Sequence, residues 1–244
     1  MRSRRLPHDR EPNAWSRSLA ARRALGRPLI DLTETNPTRV GLGGAGEAEL
    51  RALADSRGAR YEPDPRGLGS AREAVAAAYA ARGIAVAAEQ LVLTSGTSES
   101  YAHLLRLLAD PGDAILVPTP SYPLLEPLAA LEDVSIAPYR IAYDGRWHLD
   151  LGSLEAALEE TPRARAVVVV EPNHPTGTCL APDERAALET LCERHRVALI
   201  SDEVFGEFAW GFTPLPSFAG ERRVPSFVLG GLSKSCGMPQ LKLG

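Results

Sequence analysis

The chain has 244 residues, 44% hydrophobic and 24% charged, which is the composition of a globular protein with room for one sizeable domain and an appendage. A formal net charge of −4 gives no general pull towards nucleic acid or an anionic membrane surface. The three cysteines, Cys179, Cys192 and Cys236, lack Cys-x-x-Cys spacing, which argues against a disulfide framework or a zinc site and for a reducing, cytoplasmic compartment.

Residues 1–12 are charged, carry Pro7 and Pro12, and read as disordered; no apolar segment follows the basic start, so it is not a secretory signal. The longest apolar run, 164–170, contains an arginine and is too short to span a bilayer. A short helix is expected over 13–25, a brief extended piece at Leu29-Ile30-Asp31-Leu32, and a loop over 33–46. Within that loop, Gly41-Leu42-Gly43-Gly44-Ala45-Gly46 matches the dinucleotide glycine pattern literally. No buried strand leads into it, so it reads as a flexible loop before a helix over 47–57. A breaker-rich loop over 61–69 precedes an alanine-rich helix over 70–82.

From there, strands and helices alternate. Strands are expected at 91–93, 114–117, 134–138, 166–170, 197–201 and 226–229. Helices are expected over 98–109, 121–131, 153–160 (with Ser153 as cap) and 182–195, the last with acids in its first turn and bases in its last. Near-continuous apolar strands separated by helices imply a three-layer α/β fold, a mostly parallel sheet with helices on both faces.

The polar residues of interest follow strand ends, where such a sheet builds its site. Ser95-Gly96-Thr97 opens a helix, and its free backbone N–H groups suit a phosphate; Thr97 or Ser98 also reads as a plain helix cap. Tyr122 can stack on a planar ligand or close a turn. Glu171-Pro172-Asn173-His174-Pro175-Thr176-Gly177 is a rigid turn presenting Asn173 and His174. Asp202 ends a buried strand, where an acid is costly without a partner. Lys234 lies in a glycine- and serine-rich loop after the last strand, where an amine held partly out of water becomes a nucleophile towards carbonyls. Together these are the parts needed to hold pyridoxal phosphate: a phosphate cradle, an aromatic shelf, an acid for the ring nitrogen and a lysine.

In that ordered set, from about Leu32 to Gly244, the chain resembles the class I/II aminotransferases, pyridoxal-phosphate enzymes of fold type I. The resemblance implies that Lys234 forms the Schiff base with pyridoxal 5'-phosphate and that Asp202 pairs with the pyridinium. It further implies that Ser95, Gly96, Thr97, Ser233 and Lys242 surround the phosphate and that Tyr122 stacks on the ring. Tyr61 resembles the tyrosine that reaches the phosphate of a partner subunit, which implies a homodimer. The implied partners are an amino acid and a 2-oxo acid, with no nucleic acid and no membrane.

Relatives usually have Asn where His174 stands, Tyr where Phe205 stands, and Ser or Thr where Gly231 stands. An imidazole at 174 is expected to supply a hydrogen bond that Phe205 cannot, while Gly231 removes a phosphate contact. Residues 1–45 read as an N-terminal arm and substrate-side loop, and 46–244 as the cofactor-binding large domain. The resemblance places an antiparallel strand after Lys242, beside residues 91–93, and a small domain beyond it. The chain is therefore expected to be an incomplete, poorly stable and inactive fragment lacking both. The expected ancestral activity is amino-group transfer, with a carbon–sulfur β-lyase or a non-catalytic binding module as the alternatives. Regulators of this fold carry an N-terminal DNA-binding domain, and residues 1–30 are too short for one.

Overall fold

The structure is a computed structural model, and it describes residues 3, 5, 11–34, 36–41, 44–208 and 217–244. Its frame is a six-stranded sheet in the order β3-β2-β1-β4-β5-β6, made of β1 (Ala114–Thr119), β2 (Ser135–Tyr143), β3 (Trp147–Leu149), β4 (Ala164–Val170), β5 (Ala198–Asp202) and β6 (Ser226–Leu229). All neighbours run parallel except β2 and β3, which form an antiparallel pair. The helices are α1 (Ala14–Ala24), α2 (Glu47–Ala52), α3 (Gly69–Ala81), α4 (Thr97–Leu108), α5 (Leu125–Leu131), α6 (Leu151–Glu160), α7 (Pro182–His195) and α8 (Leu232–Ser235).

The alternation of side chains along each strand feeds two cores, one on each face of the sheet. Val167 and Val169 of β4 join Leu116, Leu154, Leu188 and Leu199 on the face covered by α6 and α7. Ala166 and Val168 join Ile115, Val117, Leu105 and Ala129 on the face covered by α4 and α5. Both faces are dry, which is why β4 reads from Ala166 onwards as an unbroken run of small and β-branched residues. Burying each such large aliphatic side chain contributes about 1.5–3 kcal/mol, so the sheet centre is the most strongly held part of the molecule.

Several boundaries differ from the sequence expectation. The helix expected over 121–131 starts only at Leu125, because Pro123 disfavours helical backbone at Tyr122. The third strand runs on to Tyr143 and turns through Gly145 (φ 106°) into β3. Asp150, not Ser153, caps α6: its Oδ1 accepts from Ser153 N at 2.9 Å, while Ser153 Oγ accepts from Arg140 N at 3.0 Å. The helix expected over 47–57 breaks into α2 and a 3-10 turn at Ser56–Ala59, which Asp55 opens by accepting from Arg57 N. Residues 29–32 form neither helix nor strand, and Ile30 and Leu32 lie exposed. The disorder expected over 1–12 falls largely outside the described residues, as do Leu42 and Gly43 of the glycine loop; a 3-10 turn at Pro37–Val40, not a strand, precedes it.

Residues 91–93 do not form the expected strand. A strand exists only through its ladder, and here Leu93 N donates to Arg66 O at 2.9 Å in an isolated bond. Just beyond, Thr94 and Gly244 exchange two backbone bonds, of 2.8 and 3.0 Å, in the pattern of a single antiparallel pair. Leu243 O also accepts from Leu232 N at 3.1 Å, so residues 243–244 lie between the start of α4 and the start of α8.

Candidate functional site

The C-terminal edge of the parallel strands opens onto a cavity of about 600 Å³. Its wall is built from five connections: the turn into α4 and those that follow β1, β4, β5 and β6. Ser95, Gly96, Thr97, Tyr122, His174, Asp202, Ser233, Lys234 and Lys242 all line it.

Gly96 makes the turn into α4 with φ 136°, a conformation that a side chain resists, and it serves as the helix cap without any side-chain hydrogen bond. Neither Thr97 nor Ser98 caps the helix, so the free N–H groups of the first turn face the cavity end. Thr94 Oγ1 and Ser100 Oγ, 2.8 Å apart, brace the turn from behind. Sequence reasoning missed Glu99, whose carboxylate accepts from Ser95 N at 2.6 Å. That backbone bond holds its carboxyl below the usual range. Glu99 thus takes the place at Ser95 that a bound anion would take. Glu99→Gln keeps an acceptor but removes the competing charge, and is expected to tighten binding of pyridoxal 5'-phosphate by about two- to fivefold in an equilibrium titration; weaker binding would contradict this.

Asp202 is 3% exposed at the end of β5. Burial pushes its carboxyl up to about 6, against the hydrogen bonds from Val204 N and Tyr101 Oη, each 3.1 Å. A carboxylate so placed calls for a cationic group in the cavity. Lys234 stands in α8 with Nζ 5.4 Å from the centre of the Phe205 ring. Burial lowers its ammonium pKa, and the charge of Glu34 acts in the opposite direction. Gly231 has a steric cause: a Cβ there would lie 2.9 Å from Leu243 O, so the close approach of 243–244 requires its absence.

The ring of His174 lies nearly parallel to Phe205, 17° between planes and 6.3 Å between centroids, and edge-on to Tyr122 at 6.3 Å. Its Nδ1 is buried without a hydrogen-bond partner among the described residues. Asn173 stands behind the wall, with its Oδ1 buried and without a hydrogen-bond partner among the described residues. It does not line this cavity, because its Nδ2 donates to Pro120 O at 3.2 Å and Thr176 Oγ1 at 2.9 Å, which turns the amide into a brace for the loop. Tyr61 is 91% exposed and lies outside the cavity wall, so nothing within one chain brings it to the site.

Two buried glutamates tie the bases of the site loops. Glu171, 2% exposed, accepts from Leu180 N at 2.8 Å and pairs with Arg185 of α7. Glu203 accepts from Ser201 Oγ, Ser217 Oγ and Phe218 N at 3.0, 2.6 and 2.7 Å. Arg185 lies 4.1 Å over the Phe218 ring and so joins the two ties. Glu171→Ala leaves a buried guanidinium without its carboxylate and should cost about 3–5 kcal/mol in urea unfolding. The Glu171→Gln/Arg185→Met pair should recover most of that, and equal instability of the two variants would refute the account.

Pyridoxal 5'-phosphate fits these residues: an anion cradle with Lys242 beside it, an aromatic shelf at Tyr122, a buried acid without a cationic partner among the described residues, and an amine within the same wall. The fold and the site together define a pyridoxal-phosphate protein of fold type I. The family described as aminotransferase class I and II matches residues 28–244, and the chain belongs to it. It is similar to the uncharacterized HTH-type transcriptional regulator YdcR of Escherichia coli strain K12, with 32% identity over 74% of this chain and 38% of that protein. It is also similar to nicotianamine aminotransferase 1 of Oryza sativa subsp. japonica, with 29% identity over 89% of this chain and 45% of the relative. Among solved structures, an aminotransferase from Escherichia coli superposes with a TM-score of 0.78 at 25% identity, covering 100% of this chain and 61% of that one. The alanine aminotransferase from Pyrococcus furiosus gives 0.75 at 26%, covering 93% and 57%. The chain spans less than half the length of these curated relatives. No helix among the described residues is long and apolar enough to cross a membrane.

Proposed function

We propose that this chain carries the cofactor-binding part of an aminotransferase that moves an amino group between an amino acid and a 2-oxo acid. The observation that carries the reading is one cavity that gathers an anion cradle, a buried acid and a lysine on three separate connections of one parallel sheet. When bound, pyridoxal 5'-phosphate supplies an electron-accepting ring that stabilises negative charge on the substrate carbon.

The protein's own residues do the rest. Ser95, Gly96 and Thr97 offer backbone donors to the phosphate, with Ser233 and Lys242 alongside. Tyr122 would present a face to the ring, and Asp202 would hold a proton on the ring nitrogen. Lys234 would supply the amine that holds the cofactor at its carbonyl carbon, and would move a proton at the substrate carbon. His174 presents an imidazole towards the ring substituents, next to a Phe205 that offers none. Asn173 acts one step back, by holding the loop that carries His174. We place the large domain at 46–244 and the arm at 1–45. Tyr61, exposed near the start of that large domain, fits a contact with the phosphate of a second copy in a homodimer.

The test is an assay of the full-length gene product for amino transfer to α-ketoglutarate, run beside pyruvate release from cysteine derivatives. Amino transfer is expected; pyruvate release without transfer would make it a β-lyase. The likeness to a protein named as a transcriptional regulator favours a second reading, a cofactor-binding module without turnover, which uptake of the cofactor with neither activity would establish.

A further inference from the structure

The acid at the end of β5 is held from a second element. Tyr101, in the second turn of α4, is 1% exposed, and its hydroxyl donates to Asp202 Oδ2 at 3.1 Å. Val204 N donates to Oδ1 at 3.1 Å, so each carboxylate oxygen has a donor of its own. The tyrosine ring belongs to the core formed by Leu105, Ile115, Val168 and Ile200. Packing alone asks only for a ring there. Phenylalanine would fill the volume without bringing a polar atom that must be satisfied. The hydroxyl is therefore explained by what it meets, and among the described residues it hydrogen-bonds the carboxylate alone.

We propose that Tyr101 is a positioning residue for the site's acid: its hydroxyl fixes the Asp202 carboxylate towards the cavity and keeps it ionised in a buried setting. A hydrogen bond donated to the charged form of an acid favours that form, and in low dielectric the effect is large. Donation runs one way only, because burial, with the charge of Asp202 next, pushes the phenol well above its ordinary range. The other groups facing Asp202 do not duplicate the service. Glu203, its chain neighbour, is an acid whose charge opposes ionisation. Tyr122 faces it from the turn after β1, where its phenol is raised by burial first and by the charge of Asp202 second. His174 and Lys234 share the cavity with Asp202, but no hydrogen bond joins either of them to the carboxylate among the bonds described. The functional consequence rests on the reading of Asp202 as partner of the cofactor's ring nitrogen; the coupling of Tyr101 to Asp202 does not.

The experiment separates the two. Aspartate carboxyl carbons of the ligand-free full-length protein are followed by NMR through a pH titration, with the Asp202 signal assigned by its loss in Asp202→Asn. In Tyr101→Phe the Asp202 midpoint is expected to move up by about one pH unit. Affinity for pyridoxal 5'-phosphate is expected to fall about tenfold at pH 5, below both midpoints, and only about twofold at pH 7, and to recover as the pH is raised past the new midpoint. In the Asp202→Asn background, Tyr101→Phe should leave affinity unchanged. An unmoved midpoint overturns the proposal, as does an equal loss of affinity in both backgrounds, which is what a purely structural role would give. A moved midpoint in a protein that takes up no cofactor would keep the coupling and refute the functional reading instead.

Discussion

Lys234→Ala is expected to abolish covalent retention of pyridoxal 5'-phosphate and to lower turnover by about 10³-fold or more. The amine is placed by local chemistry that the substitution leaves intact. Ser235 Oγ donates to Gly231 O at 2.9 Å across α8, and the glycine admits Leu243 and Gly244 against the same turn. Partial burial favours the uncharged amine, which is the nucleophilic form. Arginine cannot substitute, because a guanidinium does not give up its proton. Borohydride reduction of the cofactor-loaded protein, followed by peptide mass spectrometry, locates the label. A label that persists in Lys234→Ala would remove Lys234 from its role.

Asp202→Asn is expected to stabilise the ligand-free protein at pH 8 while weakening cofactor binding by about 10²-fold, the loss expected when a buried charge partner is removed. Burial raises this carboxyl from the model-peptide value of 3.8 to about 6. Between those values the native protein holds a proton that the unfolded chain has released. The contribution of this group to stability is thus fully present below about pH 4 and is lost as the pH rises through about 6. The loss amounts to about 2–3 kcal/mol at 1.36 kcal/mol per pKa unit. Asparagine avoids it, and its amide still offers an acceptor to Tyr101 or Val204. Thermal unfolding at about pH 3.5 and about pH 8 checks the sign: the variant should gain on the parent at the higher pH and hardly differ at the lower. A variant less stable than its parent at pH 8 would show that the two hydrogen bonds to Asp202 outweigh the cost of burying its charge.

Much of the site could be read from the chain because each functional residue sits just after an apolar run. Val168 to Val170 leads into Glu171 and His174, Leu199 and Ile200 into Asp202, and Phe227 to Leu229 into Lys234. In a parallel sheet those positions converge at one edge whatever the details of the helices. Asn173 is the residue that logic leaves open. It occupies the right turn, but whether an amide faces the cavity or Pro120 depends on the path of a neighbouring connection. Residues 91–93 escaped it for a related reason, since an apolar triplet becomes a strand only when another segment lies alongside.

The sequence by itself determined the alternation of strands and helices, the burial of β4 and β5 on both faces, and the order of the cradle, acid and lysine. These follow from local periodicity and from residues whose chemistry is costly anywhere else. Only the tertiary structure decided which groups act on one another across the cavity. Tyr101 reads as an ordinary core residue of a helix until α4 is laid over β5, and Glu99 as a surface acid until its carboxylate folds back onto Ser95. The stacking of His174 on Phe205 joins residues from two different loops. Each is a contact between segments distant along the chain or folded back on themselves, and the distance between such groups is fixed by packing rather than by spacing in the sequence.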